Sequence, residues 1–365
     1  RFSFFQKFKN FDYILFICIL LLGFISLATM YSTDGGEVQF HTRSHFTKLI
    51  VFTIMMIVIS FINIKYWFSV GYFSYIAVIG LLIWTYMFGI TSSGSQRWID
   101  LYFINLQPSE LMKIAIVICF AKFYHRLQIG DVNKLRYLLI PLVMLTIPIF
   151  LVLSQPDLGT SILIAMSGLV VIWLSGVRIK YFIYSSIALI VSAPFVISFL
   201  KPYQKLRILT FFNPEKDPLG AGYQIIQSKI AVGSGGITGK GFLKGTQSYL
   251  EFLPEKHTDF IFTLFSEEFG FLGSVFLLLV YSLMIYRIIV IGNLSRNFFG
   301  KLFCYGFASS IFFYIVINMS MVLGLVPIVG SPLPIMSYGG SSMLATMFGI
   351  SIVMSTKIYQ RQLIA

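Results

Sequence analysis

Long apolar runs separated by short polar segments constrain this chain more than any other feature of its sequence. Charged residues make up only 11% of the chain, whereas a typical soluble domain has about 25%. Runs of about 18 or more apolar residues with few charges are typical of membrane-spanning helices. We therefore predict an all-α polytopic membrane protein with about ten transmembrane helices, at residues 11–31, 46–64, 69–90, 109–125, 136–154, 158–175, 179–200, 258–291, 302–328 and 338–358.

Positively charged residues predict how the chain crosses the membrane. With the N-terminus inside, most of the 27 Lys and Arg residues fall in predicted inner segments, and the short outer loops hold only Arg43, Lys48 and Arg97. Cytoplasmic loops carry such an excess, so both termini are predicted to be cytoplasmic. Residues 201–257 then form one long extracytoplasmic loop between helices 7 and 8, within a single transmembrane domain that covers residues 1–365.

The composition and the missing motifs exclude several other classes of protein. A net charge of +13 fits a membrane protein whose inner side faces anionic lipids, and no soluble domain remains that could bind nucleic acid. No GxSxG, HExxH or GxxxxGK[ST] pattern occurs. The first apolar run is longer than a secretory signal core, and we predict that it remains as an anchor. The spacing of the histidines predicts no metal site, and the cysteines are interpreted as apolar packing residues; these residues are His41, His45, His125, His257, Cys18, Cys119 and Cys304.

The long outer loop contains two patterns of its own. In "GYQIIQSKIAVG", apolar residues at helical spacing predict a helix on the membrane face. Two interpretations stay open for the following "GSGGITGKGFLKG": a flexible solvated linker, or a backbone that approaches a ligand closely. After the loop, the run at 258–291 is too long for one straight span, and Gly270 and Gly273 are expected to break or bend it.

Five carboxylates lie at or inside the predicted outer ends of spans. Ionisable groups at that depth cost several kcal/mol and are functional candidates by default. In "NLQPSELMKIAI", the i,i+3 spacing lets a glutamate and a lysine pair on one helix face, and the lysine could also contact an anionic substrate. One of the two adjacent glutamates further along is expected to pair with a Lys or Arg. The five acids are Glu110, Asp157, Asp259, Glu267 and Glu268, and the lysine is Lys113.

Asp259 stands where "PEKHTD" brings the long loop to the membrane and "FIFTLF" enters it. One interpretation is a charge at a helix N-terminus, worth about 0.3–1 kcal/mol, although Thr258 could cap that helix. The other is a general base at the outer leaflet. Asp157 is either a helix cap or part of a site. Arg97 and Trp98, in an outer loop, are either interface residues or a phosphate-binding pair.

The C-terminal stretch "NMSMVLGLVPIVGSPLPIMSYGGSS" resembles the signature of the SEDS family (shape, elongation, division and sporulation proteins) over residues 318–342. The blocks "QPSELMK", "QPDLGTS", "DPLGAGYQIIQSKIAVGSGG" and "GTQSYLEFLPEKHTDFIF" are similar to other family blocks, in the same order. The resemblance covers essentially the whole chain. The last block is more similar to the elongation members than to the division members.

The resemblance implies ten transmembrane helices and a peptidoglycan glycosyltransferase in the bacterial cytoplasmic (inner) membrane, active in cell elongation and rod shape. It implies polymerisation of lipid II into lipid-linked glycan at the outer face. The implied partners are a class B penicillin-binding protein, which is a transpeptidase, and the elongation machinery. The family's essential acid corresponds to Asp259, its sensitive loop to Arg97 and Trp98, and its Glu/Lys pair to Glu110 and Lys113.

Glycosyl transfer from a lipid pyrophosphate requires a base for the acceptor hydroxyl and positive charge at the leaving group. Asp259 is the expected base, and Arg97, Lys113, Arg207 and Lys229 are candidates for the charge. No cofactor is required by the sequence, and Mg²⁺ or Mn²⁺ stays an alternative source of charge without a visible ligand cluster. The helix break at 324–340 is expected to shape the substrate cavity, with Ser337, Gly339 and Gly340 in it.

Two other functions stay open at the sequence level. A lipid II flippase would act on the same substrate, but it should place polar groups along a path through both leaflets. The unusual carboxylates lie instead at the predicted outer side, which favours the enzyme. A scaffold that only organises the penicillin-binding protein would have no need for Asp259 at the membrane mouth.

Overall fold

Each of the ten predicted apolar runs overlaps one long helix in the structure. The computed structural model describes residues 4–92, 95–101, 105–128, 130–199, 202–216, 220–246 and 255–364. Within them a short helix α1 (Phe4–Lys9) precedes the ten long ones. The ten are α2 (Tyr13–Thr33), α3 (Phe40–Ser60), α4 (Ile64–Phe88), α5 (Pro108–His125), α6 (Leu135–Ser154), α7 (Leu158–Leu174), α8 (Ile179–Phe199), α11 (Ile261–Leu294), α12 (Phe298–Val322) and α13 (Gly340–Ile358).

The structure confirms a predominantly helical polytopic membrane protein. In the part of the chain that the structure describes, seven helices are long and apolar enough to cross a membrane: α2, α3, α4, α6, α11, α12 and α13. The shorter α7 and α8 are apolar as well. That all ten helices cross the membrane stays a prediction, as does the orientation of the termini.

Local chemistry sets where several of these helices begin. Asp12 caps α2 by accepting a hydrogen bond from Leu15 N at 2.9 Å. Asn297 caps α12 through Gly300 N at 2.6 Å, and Pro108 occupies the first turn of α5, where no backbone N–H donor is needed. The predicted boundary at residue 328 is wrong, because α12 ends at Val322.

The chain also contains a small sheet that the sequence did not predict. Strands β1 (Ile90–Ser92), β2 (Ser95–Asp100) and β3 (Asn105–Leu106) follow α4 and form an antiparallel sheet in the order β1-β2-β3. Ile90 pairs with Trp98, and Ile99 pairs with Leu106. Arg97 and Trp98, predicted in a loop, lie on strand β2, and the sheet connects α4 to the start of α5.

The long outer loop is largely helical where the structure describes it. It contains α9 (Pro202–Phe212), a 3₁₀ turn at Pro214–Lys216 and α10 (Ala221–Ser234). The helix predicted from "GYQIIQSKIAVG" is therefore confirmed. It packs against the bundle, since Ser228 Oγ lies 2.9 Å from Thr263 Oγ1 and donates to Val322 O at 2.7 Å.

The glycine-rich segment, residues 233–245, packs against a kink in α11. Gly270 has φ 63° and ψ −159° inside the helix, which confirms the predicted break there, whereas Gly273 stays helical. Phe271 N and Leu272 N donate to carbonyls of the segment at 2.9 and 3.1 Å, and Lys240 N and Gly241 N donate back to α11 at 3.0 Å each. Neither open interpretation describes this arrangement, because these backbone groups bind helix α11.

The predicted outer connections meet at one end of the bundle, and the predicted inner ones meet at the other. At the first end, Tyr338 N donates to His257 O at 2.8 Å, and Gln107 N donates to Ser341 Oγ at 2.9 Å. At the second end, Arg296 N donates to Gln360 O at 2.9 Å. The first end carries the candidate site.

Candidate active site

A polar cavity of about 410 Å³ opens at the end of the bundle where the predicted outer connections meet. Its walls come from the β2–β3 region, the start of α5, the α6–α7 turn, α10, the turn before α11 and the α12–α13 connection. We call it the polar cavity; its lining residues are Arg97, Trp98, Gln107, Glu110, Pro156, Asp157, Thr160, Gln224, Glu255, Thr258, Asp259, Phe260, Ile328, Val329, Gly330, Pro332, Tyr338, Gly339, Ser341 and Ser342.

Asp259 lies in the turn immediately before α11, on the wall of the polar cavity. Its carboxylate is half-buried, and Oδ2 faces Gly330, where a Cβ atom would come within 3.4 Å of it. Asn318 Nδ2 donates to the backbone carbonyl of Asp259 at 2.9 Å and to Ser331 O at 2.7 Å. One buried amide therefore holds the turn with the carboxylate against the α12–α13 connection.

Arg97 faces Asp157 inside the same cavity. The guanidinium Nη1 lies 3.5 Å from Asp157 Oδ2, and Gln107 Nε2 donates to that oxygen at 2.7 Å. Asp157 Oδ1 accepts from Thr160 N at 3.2 Å, so this residue also caps α7 as predicted. Arg97 lines the cavity and its side chain is 26% exposed, whereas its Nε is buried without a hydrogen-bond partner among the described residues.

Glu110 and Lys113 form the predicted ion pair, with Nζ 2.8 Å from Oε1 and both side chains 3% exposed. Tyr314 Oη donates to Glu110 Oε2 at 2.6 Å, and Lys113 Nζ lies 3.9 Å from the centre of the Tyr314 ring. Glu110 lines the polar cavity and Lys113 is not among its lining residues. The pair thus connects the cavity wall to α12, and the geometry favours its structural interpretation.

The α12–α13 connection supplies a whole side of the cavity, as the predicted helix break required. Ser337 Oγ accepts from Leu333 N at 2.7 Å and closes a turn. Gly339 precedes α13 and lines the cavity, and Gly340 begins that helix. Backbone approaches closely here, because a Cβ atom on Gly159 would lie 2.4 Å from Val329 O.

The remaining predicted site residues lie elsewhere. Glu267 accepts from Lys240 Nζ at 2.6 Å and from Thr246 Oγ1 at 2.8 Å, which confirms that one of the two glutamates pairs with a lysine. Glu268 accepts from Ser32 Oγ. Lys229 is exposed on α10, and its stem lies against Gly324, away from the cavity lining. The Arg207 side chain lies outside the described residues.

Sequence reasoning missed residues that the fold brings to this end. Asn318 and Gln107 occur in the quoted family blocks, but nothing in their spacing marked them as partners of Asp259 and Asp157. Asp34, His41 and His257 also meet beside the cavity, with the two imidazole rings stacked 4.0 Å apart. The pKa of His257 is lowered to about 4, mainly because the imidazole is buried and secondly because of the charge of the neighbouring His41.

The cavity combines the groups that are required when a chemical group is transferred to a hydroxyl. A half-buried carboxylate that borders a cavity can accept a proton from a bound hydroxyl group. A partly exposed guanidinium on another wall can hold an oxyanion or a phosphate. The cavity opens at one end of the apolar helical bundle.

Comparison with known proteins agrees with this picture. The profile of the FtsW, RodA and SpoVE family, described as "Cell cycle protein", matches residues 10–362. Peptidoglycan glycosyltransferase MrdB of Escherichia coli (strain K12) is 41% identical over 355 residues, covering 96% of this chain and 95% of MrdB. Stage V sporulation protein E of Bacillus subtilis (strain 168) is 35% identical over 361 residues, covering 96% of this chain and 98% of that protein.

Solved structures share the architecture. A chain from "Structural coordination of polymerization and crosslinking by a peptidoglycan synthase complex" superposes with a TM-score of 0.83 at 29% identity, covering 96% of this chain and 99% of that one. The rod shape determining protein RodA of Thermus thermophilus gives a TM-score of 0.73 at 23% identity, covering 96% and 98%; at that identity the likeness concerns the fold alone. Because the family profile and the E. coli relative both span nearly the whole chain, this protein belongs to the SEDS family of FtsW, RodA and SpoVE.

Proposed function

We propose that this protein is a peptidoglycan glycosyltransferase of the bacterial cytoplasmic membrane, which polymerises lipid II into glycan strands at the outer face for cell elongation. The observation that carries the proposal is that Asp259 and Arg97 line one polar cavity at the end of an apolar helical bundle. Curated relatives named peptidoglycan glycosyltransferase match along the whole chain. A lipid-linked sugar has the required form, since its apolar chain suits the bilayer and its polar head suits the cavity.

The proposed reaction joins two lipid-linked sugars. The acceptor hydroxyl oxygen attacks the anomeric carbon of the donor, and the bond between that carbon and the pyrophosphate oxygen breaks. Asp259 takes the hydroxyl proton as the new glycosidic bond forms, and the polyprenyl pyrophosphate leaves with the bonding electron pair. Asn318 positions the base through the Asp259 carbonyl, which fixes the backbone without using either carboxylate oxygen.

Of the three nominated cations whose side chains the structure describes, Arg97 has the most suitable position for the pyrophosphate. It lines the polar cavity, and its side chain is 26% exposed. Lys113 is engaged by Glu110, and Lys229 lies on the exposed side of α10. We assign Arg97 to the leaving group, and Trp98 beside it to the sugar or lipid that the same wall contacts.

A divalent cation, Mg²⁺ or Mn²⁺, would supply further positive charge at the pyrophosphate when bound. Among the described residues, the one group of His, Cys, Asp and Glu side chains close enough to hold an ion is Asp34, His41 and His257. These residues are not among the lining residues of the polar cavity. The chain's own contribution to the leaving group is therefore assigned to Arg97.

The proposed partner is a class B penicillin-binding protein that crosslinks the new strands, within the elongation machinery. Support comes from the structural relative at 29% identity, which was solved as part of a peptidoglycan synthase complex that coordinates polymerization and crosslinking. A flippase is less well supported. The cavity and its four carboxylates, Glu110, Asp157, Glu255 and Asp259, are all at one end of the bundle, whereas transport requires a path through both leaflets.

The test is polymerisation of lipid II by the purified protein with its penicillin-binding partner. Removing a general base costs roughly 10²–10⁴-fold in rate, so we expect losses of that size for Asp259→Asn and Asp259→Ala. Glu37→Gln is the matched control, because Glu37 is an exposed acid at the same end of the bundle and outside the cavity. Polymer formation by Asp259→Asn at the rate of the Glu37→Gln control would remove Asp259 from catalysis.

A further inference from the structure

Three side chains that are far apart in sequence converge beside the polar cavity. Asp34 follows α2, His41 lies in the first turn of α3, and His257 precedes Asp259 by two residues. Asp34 Oδ1 is 3.6 Å from His41 Nδ1 and 3.9 Å from His257 Nε2, and the three ligand atoms all lie within 4.8 Å of one another. Around a tetrahedral ion with bonds of about 2.0–2.2 Å, neighbouring ligand atoms are about 3.3–3.6 Å apart.

Hydrogen bonds around Asp34 orient its carboxylate so that Oδ1 faces the two histidines. Asp34 Oδ2 accepts from Thr42 N at 2.9 Å and from Thr42 Oγ1 at 2.6 Å, so Oδ1 is the oxygen that faces the imidazoles. Such outer hydrogen bonds hold ligating carboxylates in place. Fixing the ligand beforehand lowers the cost of ordering it around an ion.

The tautomer of His257 follows from its other neighbour. Thr33 Oγ1 donates its single proton to Met30 O at 2.8 Å, and His257 Nδ1 lies 3.0 Å from the same Oγ1. The hydroxyl must then accept from Nδ1–H, and Nε2 carries the lone pair. A ligating histidine usually donates its second ring N–H in this way.

Hydrogen bonding among Asp34, His41 and His257 does not explain why these three side chains lie together. Separations of 3.6 and 3.9 Å exceed the hydrogen-bond range, and the two rings stack nearly parallel, at 10°. The Asp34 side chain is 2% exposed, and a buried carboxylate needs compensating positive charge. The His41 side chain is 39% exposed, so water can reach the remaining positions around an ion.

We propose that Asp34, His41 and His257 form a binding site for one divalent transition-metal ion. Two imidazole nitrogens and one carboxylate oxygen favour Zn²⁺, Mn²⁺ or Co²⁺ over Mg²⁺, which prefers oxygen ligands. The bound ion would connect the α2–α3 connection to the turn that carries Asp259, and Tyr338 N already donates to the His257 carbonyl of that turn at 2.8 Å. The site has a positioning role, and metal binding does not depend on the proposed function.

The first experiment measures metal binding directly. The full-length protein, purified in detergent and stripped with a chelator, is titrated with Co²⁺ and followed by visible absorption, and with Mn²⁺ followed by electron paramagnetic resonance. We expect one bound ion per chain, with ligand-field bands that include nitrogen ligands. His41→Gln should weaken binding at least about ten-fold, and it is the safer variant for folding because His41 is partly exposed.

The matched control is His125→Gln. His125 Nδ1 accepts from Phe299 N at 3.1 Å at the opposite end of the bundle, and its replacement should leave Co²⁺ affinity unchanged. Equal Co²⁺ and Mn²⁺ binding by wild type and His41→Gln would overturn the proposal. So would no bound Co²⁺ or Mn²⁺ at ion concentrations in the micromolar range.

Thermal unfolding gives a second readout that does not involve catalysis. Zn²⁺ or Mn²⁺ should raise the midpoint of the wild type and of His125→Gln but not that of His41→Gln, while Mg²⁺ at the same concentration raises none of them. A shift produced by Mg²⁺ alone would contradict the assignment to a transition metal. If the wild-type protein binds Co²⁺ but does not polymerise lipid II, that result contradicts only the proposed function.

Discussion

Asn318 connects two backbone carbonyls at the base of the polar cavity. Its Nδ2 donates to Asp259 O and Ser331 O at 2.9 and 2.7 Å, and the side chain is fully buried. An amide with two donors suits this place because both acceptors are carbonyls. Asn318 therefore positions the Asp259 carboxylate by holding the Asp259 backbone. The sequence does not reveal this role, because neither an asparagine nor an aspartate indicates it by its residue type.

Replacing Asn318 should therefore reduce activity more than stability. Asn318→Ala loses two hydrogen bonds worth about 1 kcal/mol each in unfolding free energy. A displacement of about 1 Å at the base can cost about 10²-fold in rate, which we expect in lipid II polymerisation. Asn63→Ala is the control, since Asn63 only caps α4, through Lys65 N at 2.9 Å. Equal activities of the two variants would contradict the positioning role.

The Glu110–Lys113 pair allows structure and substrate binding to be separated. Lys113→Met leaves a buried carboxylate without its cation, which should lower the unfolding free energy by about 3–5 kcal/mol. Adding Glu110→Gln removes the charge, so the double variant should recover most of that loss in a thermal-unfolding measurement. Lys134→Met, which removes the exposed partner of Asp131, should change the midpoint little.

Activity of the double variant then decides the remaining question. If Lys113 only fixes α5 against Tyr314, polymerisation returns together with stability. Activity that stays low in a stable double variant would show that the Glu110–Lys113 pair also serves the substrate. A single variant Lys113→Met as stable as wild type would contradict the ion-pair interpretation itself.

At the scale of elements, the kink in α11 is held by the glycine-rich segment, residues 233–245. Gly270 has a positive φ and a ψ of −159°, in a region that is essentially restricted to glycine. A Cβ atom there would lie 2.3 Å from Gly239 N and 2.7 Å from Ile237 O. The kink and the segment therefore depend on each other, although the contacting glycines Gly239 and Gly270 are 31 positions apart in the chain.

Gly270→Ala should consequently destabilise the protein. Strain at this backbone conformation costs about 1–3 kcal/mol, and the contact with Gly239 adds to it, so we expect a lower unfolding midpoint and faster proteolysis within residues 235–246. Gly80→Ala is the matched control. Nothing lies within 4 Å of a Cβ atom at Gly80, in the interior of α4, and helix propensity predicts a small gain there. A midpoint for Gly270→Ala equal to that of Gly80→Ala would contradict the coupling.

These elements indicate what the sequence could predict. Apolar length located all ten long helices, and a glycine inside an overlong run located the break at Gly270, because both signals are local. "QPDLG" likewise predicted the Asp157 cap. The pairing of the glycine-rich segment with α11 uses only backbone groups, which leave no pattern in side chains. The group of Asp34, His41 and His257 joins residues more than two hundred positions apart, so no spacing rule could find it.

At the scale of the whole molecule, the polar cavity has a use only if its end of the bundle faces the substrate. The fold places the segments that charge bias assigned to the outside at the cavity end, with the two long-range contacts Tyr338–His257 and Gln107–Ser341. It places Arg296 beside Gln360 at the other end. We therefore predict one orientation, with the cavity outside and both termini in the cytoplasm.

Cysteine labelling tests this orientation with little background, because Cys18, Cys119 and Cys304 are all free and buried. Val38→Cys creates an exposed thiol at the cavity end, where Val38 is 69% exposed, and Arg361→Cys creates one at the other end. In intact spheroplasts, a membrane-impermeant maleimide should label Val38→Cys and leave Arg361→Cys unlabelled until the membrane is permeabilised. The reverse pattern would place Asp259 in the cytoplasm, where the proposed polymerisation at the outer face could not use it.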